Sequence, residues 1–213
     1  GEEGAEVYAA ATTVAQANIV FSIAQHMVSK SPMLKKRSDM VKRSIVVPST
    51  NSFYRVISAD GKTKDGFDSH GLICDELHAW KDRDLWDVLV TSTGARQQPL
   101  TLAITTAGYD RNSICYEQHL YATQIEEGII EDDSFYGVIF AADEKDDWTS
   151  PDTWAKAQPG LNVTVDISYY EKECLKAQNS PAYENTFRRL LLNQWTEQSV
   201  RWIQMHKWDD CKE

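Results

Sequence analysis

The chain has 213 residues, 42% of them hydrophobic, and a formal net charge of −10. It is long enough for one domain, or for a domain with a small appendage, and it contains no apolar run that could form a transmembrane helix or a signal peptide. The acidic balance argues against an extended nucleic-acid clamp. The four scattered cysteines form no Cys-x-x-Cys pair for a zinc site.

The amino-terminal part alternates strand and helix patterns. Residues Glu6 to Ala11 are typical of a strand, Thr12 or Thr13 of an N-cap, and Ala15 to Ser29 of an amphipathic helix. Two further strands, joined by a turn-rich connection, are predicted at Ser44 to Val47 and at Phe53 to Ser58.

The run from Gly71 to Glu76 has a strand-like composition and ends in two adjacent carboxylates. Ligands of open α/β sheets bind beyond the carboxyl ends of the strands. This is the form of a Walker B strand, in which Asp75 holds Mg²⁺ and Glu76 orients or deprotonates the water that attacks the γ-phosphate. The hexapeptide alone leaves an alternative open, in which Asp75 is the N-cap of a following helix.

A second strand-like run extends from Pro99 and ends in the sequence Thr105, Thr106, Ala107, Gly108. Its hydroxyl groups would lie beside bound phosphates, and the glycine allows a tight turn; the alternative is a plain strand-to-loop turn. Helices are predicted at Leu85 to Ala95 and at Ile114 to Glu127, and a further strand at Phe135 to Ala142. This alternation predicts an α/β fold with a mainly parallel sheet flanked by helices.

The character of the sequence changes after a charged run, Asp143 to Asp147. Beyond it the pattern is helical, with helices predicted from Ser150 or Asp152, over Ile167 to Gln178 and over Ala182 to Asn193. We therefore expect a sheet domain over residues 1–143 and a small helical subdomain over residues 144–213.

Taken in order, these stretches resemble the ATPase part of the large terminase subunit of tailed bacteriophages, the motor that packages DNA into procapsids. Five stretches carry the resemblance: Glu6 to Thr12 with Gln16-Ala17, Ser58-Ala59-Asp60 with Asp65-Gly66, the Walker B strand, the Thr-Thr-Ala-Gly sequence, and Phe187-Arg188-Arg189 with Leu192-Asn193-Gln194-Trp195. The resemblance implies a P-loop NTPase fold of the ASCE type, with residues 1–143 as the ATPase core. Residues 144–213 would be a helical lid or linker that leads to a nuclease domain.

The resemblance also implies a function. The protein would be an ATPase that uses ATP and Mg²⁺ to move double-stranded DNA, with Asp75 positioning Mg²⁺ and Glu76 activating water. The residues Thr105, Thr106, Ala107 and Gly108 would be the coupling motif that links hydrolysis to movement. Implied partners are phage DNA, the portal protein and the small terminase subunit, in a ring assembly without a membrane, in the cytoplasm of the bacterial host.

Two parts of the family pattern are missing from the sequence. No Walker A loop, a glycine-rich turn ending in Gly-Lys-Ser or Gly-Lys-Thr, occurs among the 213 residues. The nuclease domain should follow the sequence Trp208-Asp209-Asp210-Cys211, near the last residue. We therefore expect a part of a longer polypeptide that binds ATP weakly and does not hydrolyse it alone, because ATP and Mg²⁺ both require the missing loop. The loop before Walker B offers Lys62 and Lys64, and no arginine finger is assigned.

Two other functions fit parts of the pattern. Asp75-Glu76-Leu77-His78 also spells the Asp-Glu-x-His box of superfamily 2 helicases, which would require a second motor domain downstream. A non-catalytic assembly module that keeps only the fold is the third alternative. A Walker A lysine upstream would favour the motor over the assembly module.

Overall fold

The computed structural model describes residues 2–58 and 66–196. The predicted loop residues Lys62 and Lys64 and the sequence Trp208 to Cys211 lie outside the described residues. The chain forms two compact units, Gly1–Thr105 and Thr106–Glu213.

The first unit is built on one six-stranded sheet. Its strands are β1 (Glu6–Ala11), β2 (Asp39–Val41), β3 (Ser44–Val47), β4 (Ser52–Ser58), β5 (Ser69–Asp75) and β6 (Leu100–Ile104). They lie in the order β2-β3-β4-β1-β5-β6. The strands β4, β1, β5 and β6 are parallel neighbours, and β2 and β3 add an antiparallel edge. The mainly parallel sheet confirms the predicted α/β fold.

Strand β1 lies in the interior of the sheet because β4 and β5 pair with it on either side. Ala9, for example, lies opposite Val56 on β4 and Ile73 on β5. The residues from Tyr8 to Ala11 are all buried. Short alanine side chains let the covering layers approach this central strand closely. The buried strand β1 thus supports its neighbour β5, which ends in Asp75.

In the described part of this unit, three α-helices accompany the sheet: α1 (Val14–Lys30), α2 (Pro32–Arg37) and α3 (Asp84–Thr91). Helix α1 begins at a capping box in which the Thr13 side chain accepts from the Gln16 amide and the Gln16 side chain accepts from the Thr13 amide. Its buried Phe21 and Val28 belong to the same hydrophobic cluster as Val56 of β4. The predicted helix after β1 is therefore confirmed, with Thr13 as its N-cap.

An arginine binds the amino-terminal ends of the central strands. Arg96 donates from Nε and Nη2 to the carboxylate of Asp68, at 2.9 and 2.7 Å, just before β5. The same Nη2 donates to the carbonyl of Gly4, just before β1, at 2.8 Å. The Arg96 side chain is only 9% exposed, so these bonds are largely shielded from water.

We expect Arg96→Ala to lower the free energy of unfolding by about 2–4 kcal/mol, because it leaves a half-buried carboxylate and a backbone carbonyl without their donor. Urea denaturation followed by circular dichroism would measure the loss. The matched control is Arg83→Ala, since Arg83 pairs with Asp87 at 2.8 Å but is 55% exposed. That change should cost less than about 1 kcal/mol. Equal losses for the two variants would contradict a structural role for Arg96.

The second unit is helical. It contains α4 (Ile114–Glu126), α5 (Pro151–Ala157), α6 (Ile167–Gln178) and α7 (Pro181–Leu191). The last three helices confirm the helical prediction within the described part of residues 144–213. Their core is aromatic: the rings of Trp154 and Tyr170 lie 5.7 Å apart, and those of Tyr170 and Phe187 lie 6.3 Å apart. These side chains act as packing groups, and all three are buried.

The strand predicted from Phe135 to Ala142 is wrong. The segment has no strand assignment, and Tyr136, Val138 and Phe140 are exposed. Alternating apolar residues form a strand only when a neighbouring strand accepts their hydrogen bonds. Within the described residues of this unit, only an isolated bridge between Leu161 and Val165 has strand-like pairing.

The two compact units divide after Thr105, whereas the sequence places the functional boundary after residue 143. Within the second unit, residues on both sides of position 143 pack together. Trp195 packs edge-on against Tyr116 of α4, with ring centroids 4.7 Å apart, and Ala142 belongs to the helical core. The assignment of residues 1–143 to an ATPase core and of 144–213 to a lid or linker stays a prediction. None of the described helices has the length and apolar character needed to span a bilayer.

Candidate active site at the carboxyl end of the sheet

The two adjacent acids lie where the parallel sheet ends. Strand β5 buries Leu72 and Cys74 and finishes at Asp75, which lies opposite Ile104, the last residue of β6. The indole nitrogen of Trp80 donates to the Asp75 carbonyl at 3.1 Å and fixes the end of the strand. Because β5 is flanked by β1 and β6, its acids lie at the position that open α/β sheets use for ligands.

The Asp75 carboxylate has no hydrogen bond or ion pair within the described residues. The turn after β5 is a short 3₁₀-helix, Leu77–Ala79, whose N-cap is Glu76 and which has no side-chain cap. The alternative in which Asp75 caps a following helix is therefore wrong. A carboxylate with unused oxygens suits Mg²⁺, which proteins bind through one or two carboxylates together with substrate phosphates.

Glu76 has an unusual backbone conformation. Its φ and ψ of 51° and 50° lie in the left-handed region, which costs a residue other than glycine about 1 kcal/mol or more. The side chain is 41% exposed, but its Oε2 atom is buried and lies 3.0 Å from Nδ1 of His78 without forming an aligned hydrogen bond. Strained residues of this kind cluster at functional sites, because the surrounding structure holds them in place.

His78 links the second acid to the neighbouring strand. Its backbone amide donates to the Thr105 hydroxyl at 3.0 Å, and its Nδ1 atom lies 3.2 Å from the same oxygen. The structure therefore brings Asp75, Glu76 and Thr105 to one end of the sheet, with His78 between the last two. We did not predict His78 as a site residue from the sequence. The available signal was its place two residues after Glu76 in the Asp-Glu-x-His sequence.

The other residues of the predicted coupling motif belong to the second unit. Ala107 is buried, and its backbone amide donates to the side-chain oxygen of Asn193 at 3.1 Å. The Gly108 carbonyl accepts from the Thr196 amide at 3.4 Å. No local sequence pattern indicates that Asn193, 86 residues further along the chain, contacts this motif.

The thiol in the acidic strand is a core group. Burial raises the pKa of Cys74 to about 12, so this thiol stays protonated at neutral pH. A protonated buried thiol is neither a nucleophile nor a metal ligand, so Cys74 serves as a small core residue. Among the described residues, no group of three or more His, Cys, Asp or Glu side chains could hold a metal ion.

A family model described as "Terminase large subunit, ATPase domain" matches residues 1–124, more than half of the 213 residues. The chain belongs to the terminase large subunit family. A second model, "Terminase large subunit, endonuclease domain", matches residues 129–213. The family match confirms the predicted resemblance and supports a terminase over a superfamily 2 helicase.

Individual proteins are also similar to this chain. The large terminase subunit of Enterobacteria phage HK97 is 27% identical over 217 aligned residues, covering 99% of this chain and 42% of that protein. "Protein YmfN" of Escherichia coli (strain K12) is 32% identical over 149 residues, covering 70% of this chain and 33% of that protein. The crystal structure of the HK97 bacteriophage large terminase matches with a TM-score of 0.80 and 25% identity, over 92% of this chain and 40% of that one. The chain thus spans less than half the length of each of these relatives.

Proposed function

We propose that the chain supplies the water-activating and coupling part of a terminase ATPase that hydrolyses ATP to move double-stranded DNA into a procapsid. One observation carries the proposal: the left-handed Glu76, next to Asp75, lies at the end of β5 and contacts the coupling residue Thr105 through His78. Many strands end in an acidic residue, so the acid alone would not indicate a function. An acid in a strained conformation, connected to a hydroxyl group directly after the adjacent strand, is typical of a catalytic site.

Each residue has a separate role in this proposal. The Asp75 carboxylate oxygens accept no hydrogen bond within the described residues and suit Mg²⁺, which would neutralise charge on the phosphates. The exposed part of the Glu76 side chain can accept a proton or a hydrogen bond from water, while its buried Oε2 atom rests against His78. Thr105 holds the turn after β5 through the His78 amide, so it can sense a shift of Glu76.

The proposal extends to the partners of the whole protein. Thr106, Ala107 and Gly108 complete the coupling motif, and an upstream Walker A loop, which the 213 residues do not contain, supplies the contacts to the phosphates. Family membership supports phage DNA, the portal protein and the small terminase subunit as partners, in a ring that forms in the bacterial cytoplasm. A non-catalytic assembly module is the alternative, and it would show no Glu76-dependent hydrolysis.

Replacing Thr105 by valine should lower ATP hydrolysis by the full-length protein about tenfold, because the variant keeps the shape but cannot accept from the His78 amide. Phosphate release would measure the rate, and Thr106→Val would test the second hydroxyl in the same way. The control is Thr101→Val, which alters an exposed threonine on β6, the strand that ends just before Thr105. If Thr105→Val and Thr101→Val hydrolyse ATP equally fast, the Thr105 hydroxyl has no part in the site.

A further inference from the structure

Asn193 joins the coupling motif to the segment that leaves α7. It follows the last turn of that helix, with a left-handed φ of 53°. Its Oδ1 atom accepts from the Ala107 amide at 3.1 Å, and its Nδ2 atom donates to the Phe140 carbonyl at 2.8 Å. The carboxamide of asparagine can accept one hydrogen bond and donate another at the same time. An ionised aspartate can only accept, and glycine has no side chain.

Backbone hydrogen bonds hold the residues on both sides of Asn193 in place. The Leu192 carbonyl accepts from the Ala142 amide at 3.0 Å, and the Thr196 amide donates to the Gly108 carbonyl at 3.4 Å. Gln194 is 6% exposed, and its Nε2 atom donates to the Asp143 carbonyl at 2.7 Å. Residues 192–196, which we call the exit segment, therefore lie between residues 107–108 and residues 140–143.

The helix behind the exit segment is firmly packed. Leu192 is fully buried in the aromatic core, and the Tyr170 hydroxyl donates to the Leu191 carbonyl at 3.1 Å. The Gln194 amide donates back to the Arg188 carbonyl at 3.0 Å, and the Arg188 side chain donates to Gln194 Oε1 at 3.1 Å. A shift of Ala107 therefore has two outcomes: it moves the exit segment together with α7, or it breaks the bonds of Asn193.

We propose that Asn193 is a positioning residue that transmits movement of the coupling motif to α7 and to the chain beyond it. The inference rests on the proposed function of the motif, because Asn193 can transmit movement only if nucleotide turnover moves Ala107. Its role is to keep residues 107–108 and the exit segment in fixed positions relative to each other. Its loss should separate hydrolysis from DNA movement rather than stop hydrolysis.

The test uses the full-length protein with DNA and procapsids, and it measures both ATP hydrolysed and DNA packaged. Asn193→Gly keeps the left-handed backbone but removes both side-chain bonds, whereas Asn193→Asp keeps only the acceptor for Ala107. We expect Asn193→Gly to reduce DNA packaged per ATP about tenfold, within the range of allosteric coupling, with hydrolysis nearly unchanged. Asn193→Asp should give a smaller loss.

The chain offers a matched control in Asn162. It also has a left-handed φ, of 63°, and its Oδ1 atom accepts from the Ile167 amide at 3.3 Å, without contact to the motif. Asn162→Gly should leave DNA packaged per ATP unchanged. Equal yields for Asn193→Gly and wild type, or equal losses for the two glycine variants, would overturn the inference.

Hydrogen exchange separates this inference from the proposed function. Loss of the Asn193 acceptor should speed exchange of the Ala107 amide about fivefold in Asn193→Gly, but not in Asn193→Asp or Asn162→Gly. If the wild type hydrolysed no ATP, the proposed function would fail, and exchange at Ala107 would still decide whether Asn193 holds the motif. An unchanged exchange rate of the Ala107 amide in Asn193→Gly would show that Asn193 does not hold the motif.

Discussion

Glu76→Gln should lower ATP hydrolysis by the full-length protein by about 10²- to 10⁴-fold, the usual contribution of a general base. Glutamine has nearly the same size and can keep the contact with His78, but it cannot take a proton from water. ATP binding should therefore stay close to that of the wild type. Phosphate release and equilibrium binding of labelled ATP would measure the two properties separately.

The control for this change is Glu171→Gln, which alters an exposed glutamate on α6 and should affect neither property. A Glu76→Gln protein that hydrolyses ATP at the wild-type rate would show that the Walker B assignment is wrong. A variant that lost ATP binding as well would place Glu76 in the binding site rather than beside the water.

Asp75→Asn should weaken binding of Mg²⁺-ATP about ten- to hundredfold, which corresponds to roughly 1.4–2.8 kcal/mol. The reason is that an amide is a much poorer Mg²⁺ ligand than a carboxylate, while the strand end fixed by Trp80 keeps its shape. Raising the Mg²⁺ concentration should partly restore hydrolysis in Asp75→Asn but not in Glu76→Gln. Titration of ATP hydrolysis with Mg²⁺ would show this difference.

Asp82→Asn is the matched control, because Asp82 lies in the loop after the same strand, is exposed, and accepts from the Asp84 amide through an oxygen that asparagine retains. Its Mg²⁺ dependence should equal that of the wild type. An Asp75→Asn protein with the same Mg²⁺ dependence as Asp82→Asn would exclude Asp75 as the metal ligand.

Local sequence signals were sufficient for most elements. The capping box of Thr13 and Gln16 marks the start of α1, and the side-chain cap of Asp166 marks the start of α6. The strand β1 and the helix α6 have the predicted bounds because caps, turns and apolar spacing agree over a few residues. Strand β5 begins two residues before the predicted run from Gly71 to Glu76 and ends one residue earlier, at Asp75.

Features that depend on distant partners could not be predicted in this way. The segment from Phe135 to Ala142 has the composition of a strand, but pairing decides whether such a segment becomes one. The contact of His78 with Thr105 joins residues 27 apart, and that of Asn193 with Ala107 joins residues 86 apart. The left-handed conformation of Glu76 could not be predicted either, because no local sequence pattern favours glutamate in that conformation.

We propose that this chain carries the water-activating part of a terminase ATPase and that hydrolysis requires a glycine-rich phosphate-binding loop, which does not occur among the 213 residues. The most direct test compares Mg²⁺-dependent phosphate release by the 213-residue chain with that by the full-length protein carrying an upstream Gly-Lys-Ser or Gly-Lys-Thr loop. We predict release by the full-length protein, abolished by Glu76→Gln, and none by the shorter chain. Turnover by the pure 213-residue chain that Glu76→Gln abolishes would contradict the dependence on that loop.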